Sequence, residues 1–122
     1  MTEVINNISH NNWSTPSWLM LLFQDWYDPC PLKGTNGLNK EWQNKTYINP
    51  PYSNPTLWVN KAILENKKGK TIVLLLKLDT STKWFLSLQE ANAHFITFFG
   101  RLKFSNKKSA PFPSVLVILE GK

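Results

Sequence analysis

The hydrophobic pattern of the chain switches between a helical period and continuous apolar runs. Apolar residues at helical spacing between Trp18 and Trp26 predict a first helix, with Thr15 as its N-cap and Pro16 at its first position. The run from Lys70 to Leu78 is almost entirely aliphatic and has the length of a strand. Its lack of alternation is typical of a parallel strand that is covered on both faces.

The remaining segments predict an α/β domain. Asn54 and Pro55 form a cap and first-turn pair for a second helix that Gly69 closes, and Thr80 or Ser81 is expected to cap a third. Further strands are predicted in the short segment ending at Asp28, at Thr46 to Ile48, and in "HFITFFG" and "SVLVILE". This order predicts one domain over residues 1–122, with a mainly parallel sheet, a closing antiparallel pair, and a loose N-terminal arm over residues 1–12.

Composition and charge narrow the class of protein. The net charge is +6, and residues 61–122 carry eleven Lys or Arg against four acids, which indicates a polyanionic partner. Cys30 is the only cysteine, so an internal disulfide and a cysteine-based zinc site are excluded. No apolar run has the length of a membrane span, and the polar start does not resemble a signal peptide. A cytoplasmic protein is therefore expected.

Candidate chemistry is concentrated in the stretch "YINPPYS", directly after a predicted strand. The side-chain oxygen of Asn49 and the carbonyl oxygen of Pro50 can both accept hydrogen bonds from one exocyclic amine, because the two prolines hold the loop stiff. Tyr52 can stack on the flat base that carries this amine. The alternative is a purely structural strand-to-helix turn with Tyr52 packed in the core.

The order of several motifs resembles one known family, the phage-type DNA adenine methyltransferases, which are small relatives of Dam. The matching stretches are "WSTPSWLMLLF", "DPCP", "NGLNKEW", "YINPPYS", "LLLKLDTSTKWF" and "GRLKFSNKKSAPFPSVLVIL". This resemblance implies a minimal class I methyltransferase fold, which is Rossmann-like, and S-adenosylmethionine as cofactor. It also implies methylation of the adenine amino group in DNA, and a virus or prophage in a prokaryotic host.

The resemblance assigns roles to individual residues. The catalytic loop is Asn49, Pro50, Pro51 and Tyr52. The cofactor-binding residues are Trp13, Thr15, Pro16, Asp28, Pro29, Asn36 and Asn49. Two departures stand out: the segment between Asp28 and "NGL" is only seven residues long, where the family has a longer one, and Asn36 replaces an expected Asp. They predict a shallower cofactor pocket on the adenosine side. A salt bridge remains the alternative role for Asp28.

Residues of the second half are expected to contact DNA. The candidates for DNA contact are Ser53, Lys77, Lys83, Arg101, Lys103, Lys107 and Lys108. Phe104 and Phe112 can wedge between bases, although core packing is the more common fate of Phe and is also expected of Trp84 and Phe85. The sequence shows no separate target-recognition domain, so low or short sequence specificity and a homodimer are expected.

Other substrates and a second class of function stay open at this point. The same loop chemistry suits cytosine amino groups, RNA adenine or a protein glutamine, and the basic second half favours nucleic acid over glutamine. A catalytically inactive nucleic-acid-binding module is the remaining alternative, because the short segment after Asp28 could abolish cofactor binding.

Overall fold

The computed structural model describes residues 14–30, 37–104 and 109–122. Within these ranges the chain forms three α-helices, four strands and one short 3-10 helix at Gly37–Asn39. The helices are α1 (Ser17–Phe23), α2 (Pro55–Lys67) and α3 (Lys83–Glu90). The strands are β1 (Lys45–Ile48), β2 (Thr71–Lys77), β3 (His94–Thr97) and β4 (Ser114–Leu119).

The sheet is mixed, with strand order β1-β2-β4-β3. β1 and β2 are parallel, whereas β4 is antiparallel to both β2 and β3. The predicted antiparallel pair of the last two strands is confirmed, but the prediction of a mainly parallel sheet is wrong. The reason is that the reversed strand β4 inserts between β2 and β3. The predicted strand before Asp28 also shrinks to a single parallel bridge between Tyr27 and Thr46.

Helix starts differ from the predicted ones by one or two residues. α1 begins at Ser17 with Pro16 in the cap position, so the prediction of Thr15 as N-cap and Pro16 as first helical residue is wrong. α3 is capped by Thr82, whose hydroxyl accepts a hydrogen bond from the Phe85 N–H, and not by the predicted Thr80 or Ser81. The Asn54–Pro55 start of α2 is confirmed by its bounds.

The aliphatic strand β2 is covered on both faces, as predicted. Even-numbered residues such as Leu74 pack with α2 and α3, whereas odd-numbered residues such as Leu75 pack with α1 and the segment before β4. Phe104 and Phe112 are buried in this second layer, so their predicted core packing is confirmed. The same prediction holds for Trp84 and Phe85 in the first layer.

A buried carboxylate ties α2 to the segment before β1. Glu65 is 1% exposed and accepts hydrogen bonds from Lys61, Lys68 and Lys70 and from the backbone N–H of Trp42. These partners outweigh the effect of burial and lower the pKa of Glu65 to about 2. The Trp42 ring in turn donates to the Gly37 carbonyl at 2.9 Å. The chain around the 3-10 helix is therefore fixed against α2.

Candidate active site

The candidate site lies at the edge of the sheet where β1, β2 and β3 end. These three strands run in the same direction, because β1 is parallel to β2 and β4 is antiparallel to its neighbours on both sides. Asn49 directly follows β1, Leu78 and Asp79 follow β2, and Phe98 follows β3. In open α/β sheets ligands bind outside the carboxyl ends of the strands, and the loop from Asn49 to Tyr52 has this position.

The amide of Asn49 is oriented by two hydroxyl groups. Its Nδ2 donates to Thr15 Oγ1 at 3.5 Å, and Thr15 Oγ1 lies 2.9 Å from the Tyr47 hydroxyl. Because Nδ2 faces Thr15, the acceptor atom Oδ1 is at the other end of the amide and points away from Thr15 Oγ1. Oδ1 is shielded from solvent. Hydrogen bonds to an acceptor are electrostatically stronger in such a low-dielectric environment.

Tyr47 is a site residue that the sequence did not reveal. Its ring stacks on Phe23 of α1 with centroids 4.8 Å apart, and its hydroxyl reaches Thr15. Burial raises the pKa of the Tyr47 hydroxyl, and the hydrogen bond with Thr15 offsets part of this increase. The hydroxyl group is therefore neutral at physiological pH. Strand alternation was the available signal, since it puts Tyr47 on the opposite face from Thr46 and Ile48.

Asp28 lies beside the end of β1 because Tyr27 pairs with Thr46. Its Oδ1 accepts the backbone N–H of Cys30 at 2.9 Å. Burial raises the pKa of Asp28, and the hydrogen bond from Cys30 partly offsets this effect. No ion pair involves Asp28 in the part of the chain that the structure describes, so the alternative salt bridge finds no support there.

The Cys30 thiol has a pKa that disfavours its reactive form. Burial raises its pKa to about 12, and the nearby Asp28 charge adds to this effect. A thiol with so high a pKa is protonated at neutral pH, whereas the thiolate is the reactive form. The loop from Asn49 to Tyr52 offers amide and carbonyl oxygens as hydrogen-bond acceptors instead.

Tyr52 stands between the core and an open cavity. Its ring meets the ring of Phe112 edge to face, with centroids 4.9 Å apart, and burial raises the pKa of its hydroxyl. The same side chain lines a cavity of about 210 Å³. The other lining residues are Pro55, Leu76, Lys77, Asp79, Thr82 and Trp84. Tyr52 is thus neither a fully buried core residue nor a fully exposed one.

The structure brings some predicted DNA-contacting residues together at this edge. Lys77 lines the cavity beside Tyr52, and its Nζ lies 5.8 Å from the centre of the Phe112 ring. Arg101 and Lys103 are exposed in the segment after β3, and Ser53 and Lys83 are exposed at the starts of the segments leading into α2 and α3. Lys107 and Lys108 lie outside the described residues, as do Trp13 and Asn36.

The comparison with known families decides the relationship of the chain. A family model described as DNA N-6-adenine-methyltransferase (Dam) matches residues 32–118, which is well over half of the chain. The chain belongs to this family. This Dam-family membership confirms the resemblance seen in the sequence motifs.

Two phage proteins are similar to this Dam-family chain. The DNA N-6-adenine-methyltransferase of Haemophilus phage HP1 is 31% identical over 137 residues, which cover 90% of this chain and 79% of the relative. The protein of the same name from Escherichia phage T1 is 41% identical over 64 residues, which cover 51% of this chain and 27% of the relative. Because the first match is longer than the 122-residue chain itself, the HP1 protein contains residues that have no counterpart here.

The Dam family implies S-adenosylmethionine as methyl donor, and the described residues fit its amino-acid end. An ammonium group needs an anionic acceptor, which Asp28 supplies at the end of its bridge. A carboxylate needs donors, and the Thr15 hydroxyl and the Asn49 amide, which are hydrogen-bonded to each other, are groups that can donate. Gly37 packs so closely on Pro29 that a Cβ there would lie 2.1 Å from the Pro29 oxygen. The two ends of the short segment 31–36 are therefore adjacent.

The described residues hold neither a metal-ligand cluster nor a candidate membrane-spanning helix. Among the described residues no group of three or more His, Cys, Asp or Glu side chains is placed to hold a metal ion. No helix in those ranges is long and apolar enough to cross a membrane.

Proposed function

We propose that this protein transfers a methyl group from S-adenosylmethionine to the exocyclic amino nitrogen of adenine in DNA. The observation that carries the proposal is the position of the Asn-Pro-Pro-Tyr loop at the carboxyl end of β1, with its Asn49 amide ordered by Thr15 and Tyr47, in a chain of the Dam family.

The loop acts by holding the amine. Oδ1 of Asn49 and the carbonyl oxygen of Pro50 accept the two hydrogens of the adenine amino group, and the fixed φ of Pro50 and Pro51 keeps both acceptors in place. Hydrogen bonding of both N–H groups draws the nitrogen lone pair out of conjugation with the ring. The bound cofactor supplies an electrophilic methyl group. The contribution of the protein is positioning and electrostatic stabilisation in a site that excludes water.

Tyr52 and the adjacent cavity hold the base itself. A base stacked on an aromatic side chain gains about 1–3 kcal/mol, while extrusion from the duplex costs a few kcal/mol. Phosphate contacts from exposed cations, including Lys77 and Arg101, supply part of the difference. Ser53 and Lys83 flank the same edge and are proposed as further backbone contacts.

Cofactor binding is proposed for Thr15, Pro16, Asp28, Pro29 and Asn49. Asp28 binds the ammonium group or the ribose of the cofactor, and its raised pKa reflects an anion held partly out of water. The test is isothermal calorimetry with S-adenosylmethionine on wild type and on Asp28→Asn. We expect micromolar-range binding by wild type and at least tenfold weaker binding by the variant. Equal binding by both proteins would contradict the role of Asp28.

The experiment that tests the function is a methyl-transfer assay across substrate pools. The purified protein is incubated with labelled S-adenosylmethionine and with duplex DNA, single-stranded DNA, RNA or a glutamine peptide in competition. The products are digested and separated by chromatography. Label in N6-methyladenine from DNA supports the proposal, whereas label in methylcytosine, in RNA or in peptide assigns one of the alternative substrates.

A cofactor-free binding module is the second candidate, because the segment that follows Asp28, in the region assigned to cofactor binding, is short. DNA binding without any S-adenosylmethionine binding in calorimetry would select this candidate. We also propose that two copies associate on DNA and that the protein acts in the cytoplasm of an infected prokaryotic cell. Sedimentation with and without duplex DNA tests the association, and a single copy per duplex would contradict it.

A further inference from the structure

One phenylalanine at the catalytic edge of the sheet stands wholly in solvent. Phe99 has a relative exposure of 107%, the highest among the exposed large hydrophobic residues of the described chain. It lies in the turn that follows β3, two residues beyond Thr97. Single exposed apolar residues are common, so exposure alone carries no function. The function of Phe99 is therefore inferred from the turn that holds it and from the charged residues near it.

The turn that presents Phe99 is anchored by the residue before it, Phe98. Its neighbour Phe98 packs against the second core layer, and the ring of Trp18 on α1 meets Phe98 edge to face with centroids 6.1 Å apart. Successive side chains of an extended chain point to opposite sides, so Phe98 points inward when Phe99 points outward. Gly100 then adopts φ +69°, which reverses the chain without strain for a residue that lacks a Cβ. Phe99 is therefore presented from a fixed base.

The location of Phe99 suits contact with the same DNA as the catalytic loop. β3 ends at the same edge as β1, and three strand spacings separate them, which corresponds to about 14 Å across the sheet. Arg101 and Lys103 lie two and four residues further along the chain and are exposed, so cations are close to the aromatic ring in sequence. An exposed aromatic ring beside cations is the combination that proteins use for stacking on bases while binding the backbone.

We propose that Phe99 inserts into the DNA base stack at the position that the flipped adenine leaves, while Arg101 and Lys103 bind the adjacent phosphates. The proposal rests on the proposed function, since it assumes that a base leaves the duplex to reach Asn49. An extruded base leaves a gap between its neighbours, and an apolar ring that fills the gap stabilises the open state. A single-stranded substrate has no such gap and does not need the wedge.

The test compares Phe99→Ala with wild type on three DNA substrates of one sequence. They are a normal duplex, a duplex with an abasic site opposite the target adenine, and the single strand. We expect Phe99→Ala to lower kcat/KM roughly tenfold or more on the normal duplex. The loss should be smaller on the abasic duplex, and activity on the single strand should stay within about twofold of wild type.

Matched variants distinguish insertion of the Phe99 ring from a general effect of removing an exposed apolar side chain. Phe99→Trp keeps a stacking ring and should retain most duplex activity. Leu64→Ala removes an exposed apolar side chain from α2 and should leave all three rates unchanged. Phe99 makes so little contact with the rest of the chain that its replacement should not lower the melting temperature.

The possible outcomes distinguish the wedge from the methyl-transfer proposal. Equal duplex rates for Phe99→Ala and wild type would overturn the wedge, as would an equal loss on duplex and single strand. Wild type that methylates none of the three DNAs would instead contradict the proposed function. Duplex affinity measured by fluorescence anisotropy then still tests the wedge, because unchanged affinity of Phe99→Ala would refute insertion of the ring.

Discussion

Replacement of Tyr47 by Phe removes one hydroxyl from the network behind the catalytic amide and nothing else. The ring that stacks on Phe23 at 4.8 Å stays in place, so packing between α1 and β1 is retained. The lost contact is the 2.9 Å hydrogen bond to Thr15, whose Oγ1 also accepts from the Asn49 amide at 3.5 Å. The substitution therefore tests whether the Tyr47 hydroxyl orients the Thr15 hydroxyl, and whether the Thr15 hydroxyl in turn orients the Asn49 amide.

The expected magnitude follows from that one bond. A neutral intramolecular hydrogen bond contributes about 0.5–1.5 kcal/mol to stability. If the same energy holds the amide in its productive direction, about 1 kcal/mol of transition-state stabilisation is lost, which corresponds to roughly fivefold in the rate of methyl transfer. Affinity for DNA should stay unchanged, because Tyr47 is buried.

The assay is single-turnover methyl transfer with enzyme in excess over DNA and with saturating cofactor, combined with urea unfolding. Tyr27→Phe serves as control, since it removes a hydroxyl from the adjacent bridge residue. We expect a roughly fivefold slower rate constant for Tyr47→Phe and a wild-type rate for Tyr27→Phe. A wild-type rate for Tyr47→Phe, or a change confined to the KM for the cofactor, would refute the role of Tyr47 in positioning Asn49.

Three further predictions follow from the described contacts. Glu65→Gln should lower the free energy of unfolding by about 3–5 kcal/mol, because it leaves the charge of the buried Lys70 unbalanced, whereas Glu90→Gln on the surface should have little effect. Since the folded pKa of Glu65 is lowered to about 2, this stabilisation is present above pH 4.5 and is lost as the pH falls toward 2. Gly37→Ala should destabilise the protein and weaken cofactor binding in calorimetry, because its Cβ would clash with Pro29 beside Asp28. Arg101→Ala and Lys103→Ala should each weaken duplex binding and reduce its salt slope by about 1 in titrations.

Each of these predictions has a contradicting result. Equal urea midpoints of Glu65→Gln and Glu90→Gln at pH 7 would show that the buried carboxylate contributes no net stability. Wild-type stability of Gly37→Ala would mean that Pro29 moves away without cost. A salt slope that stays unchanged in both cation variants would place the phosphate path elsewhere on the surface.

The local features of the fold were predictable from sequence because local chemistry determines them. The aliphatic run of β2 and the Asn54–Pro55 start of α2 need no information on distant contacts, and both were found within one residue of the predicted start. The sheet topology was not predictable in this way. Whether β4 pairs with β2 as well as β3 depends on long-range packing, and a continuous apolar run suits a buried strand in either direction.

The candidate site shows the same division. The position of Asn49 after a strand followed from the prolines, whereas the role of Tyr47 depends on a contact with α1, which lies 24 residues or more earlier in the chain. Aromatic residues near the basic segment were also ambiguous in the sequence. Phe104 and Phe112 proved to be buried and Phe99 exposed, because burial depends on which layer covers each side chain.

The most direct test of the account is methyl transfer by Asn49→Ala, with Asn60→Ala on the exposed face of α2 as control. Both variants and wild type are assayed on duplex DNA under single-turnover conditions, and the digested nucleosides are analysed by mass spectrometry. The account predicts N6-methyladenine from wild type and from Asn60→Ala. For Asn49→Ala it predicts a loss of at least a hundredfold, with duplex affinity retained. N6-methyladenine formed by Asn49→Ala at the wild-type rate would contradict the assigned mechanism.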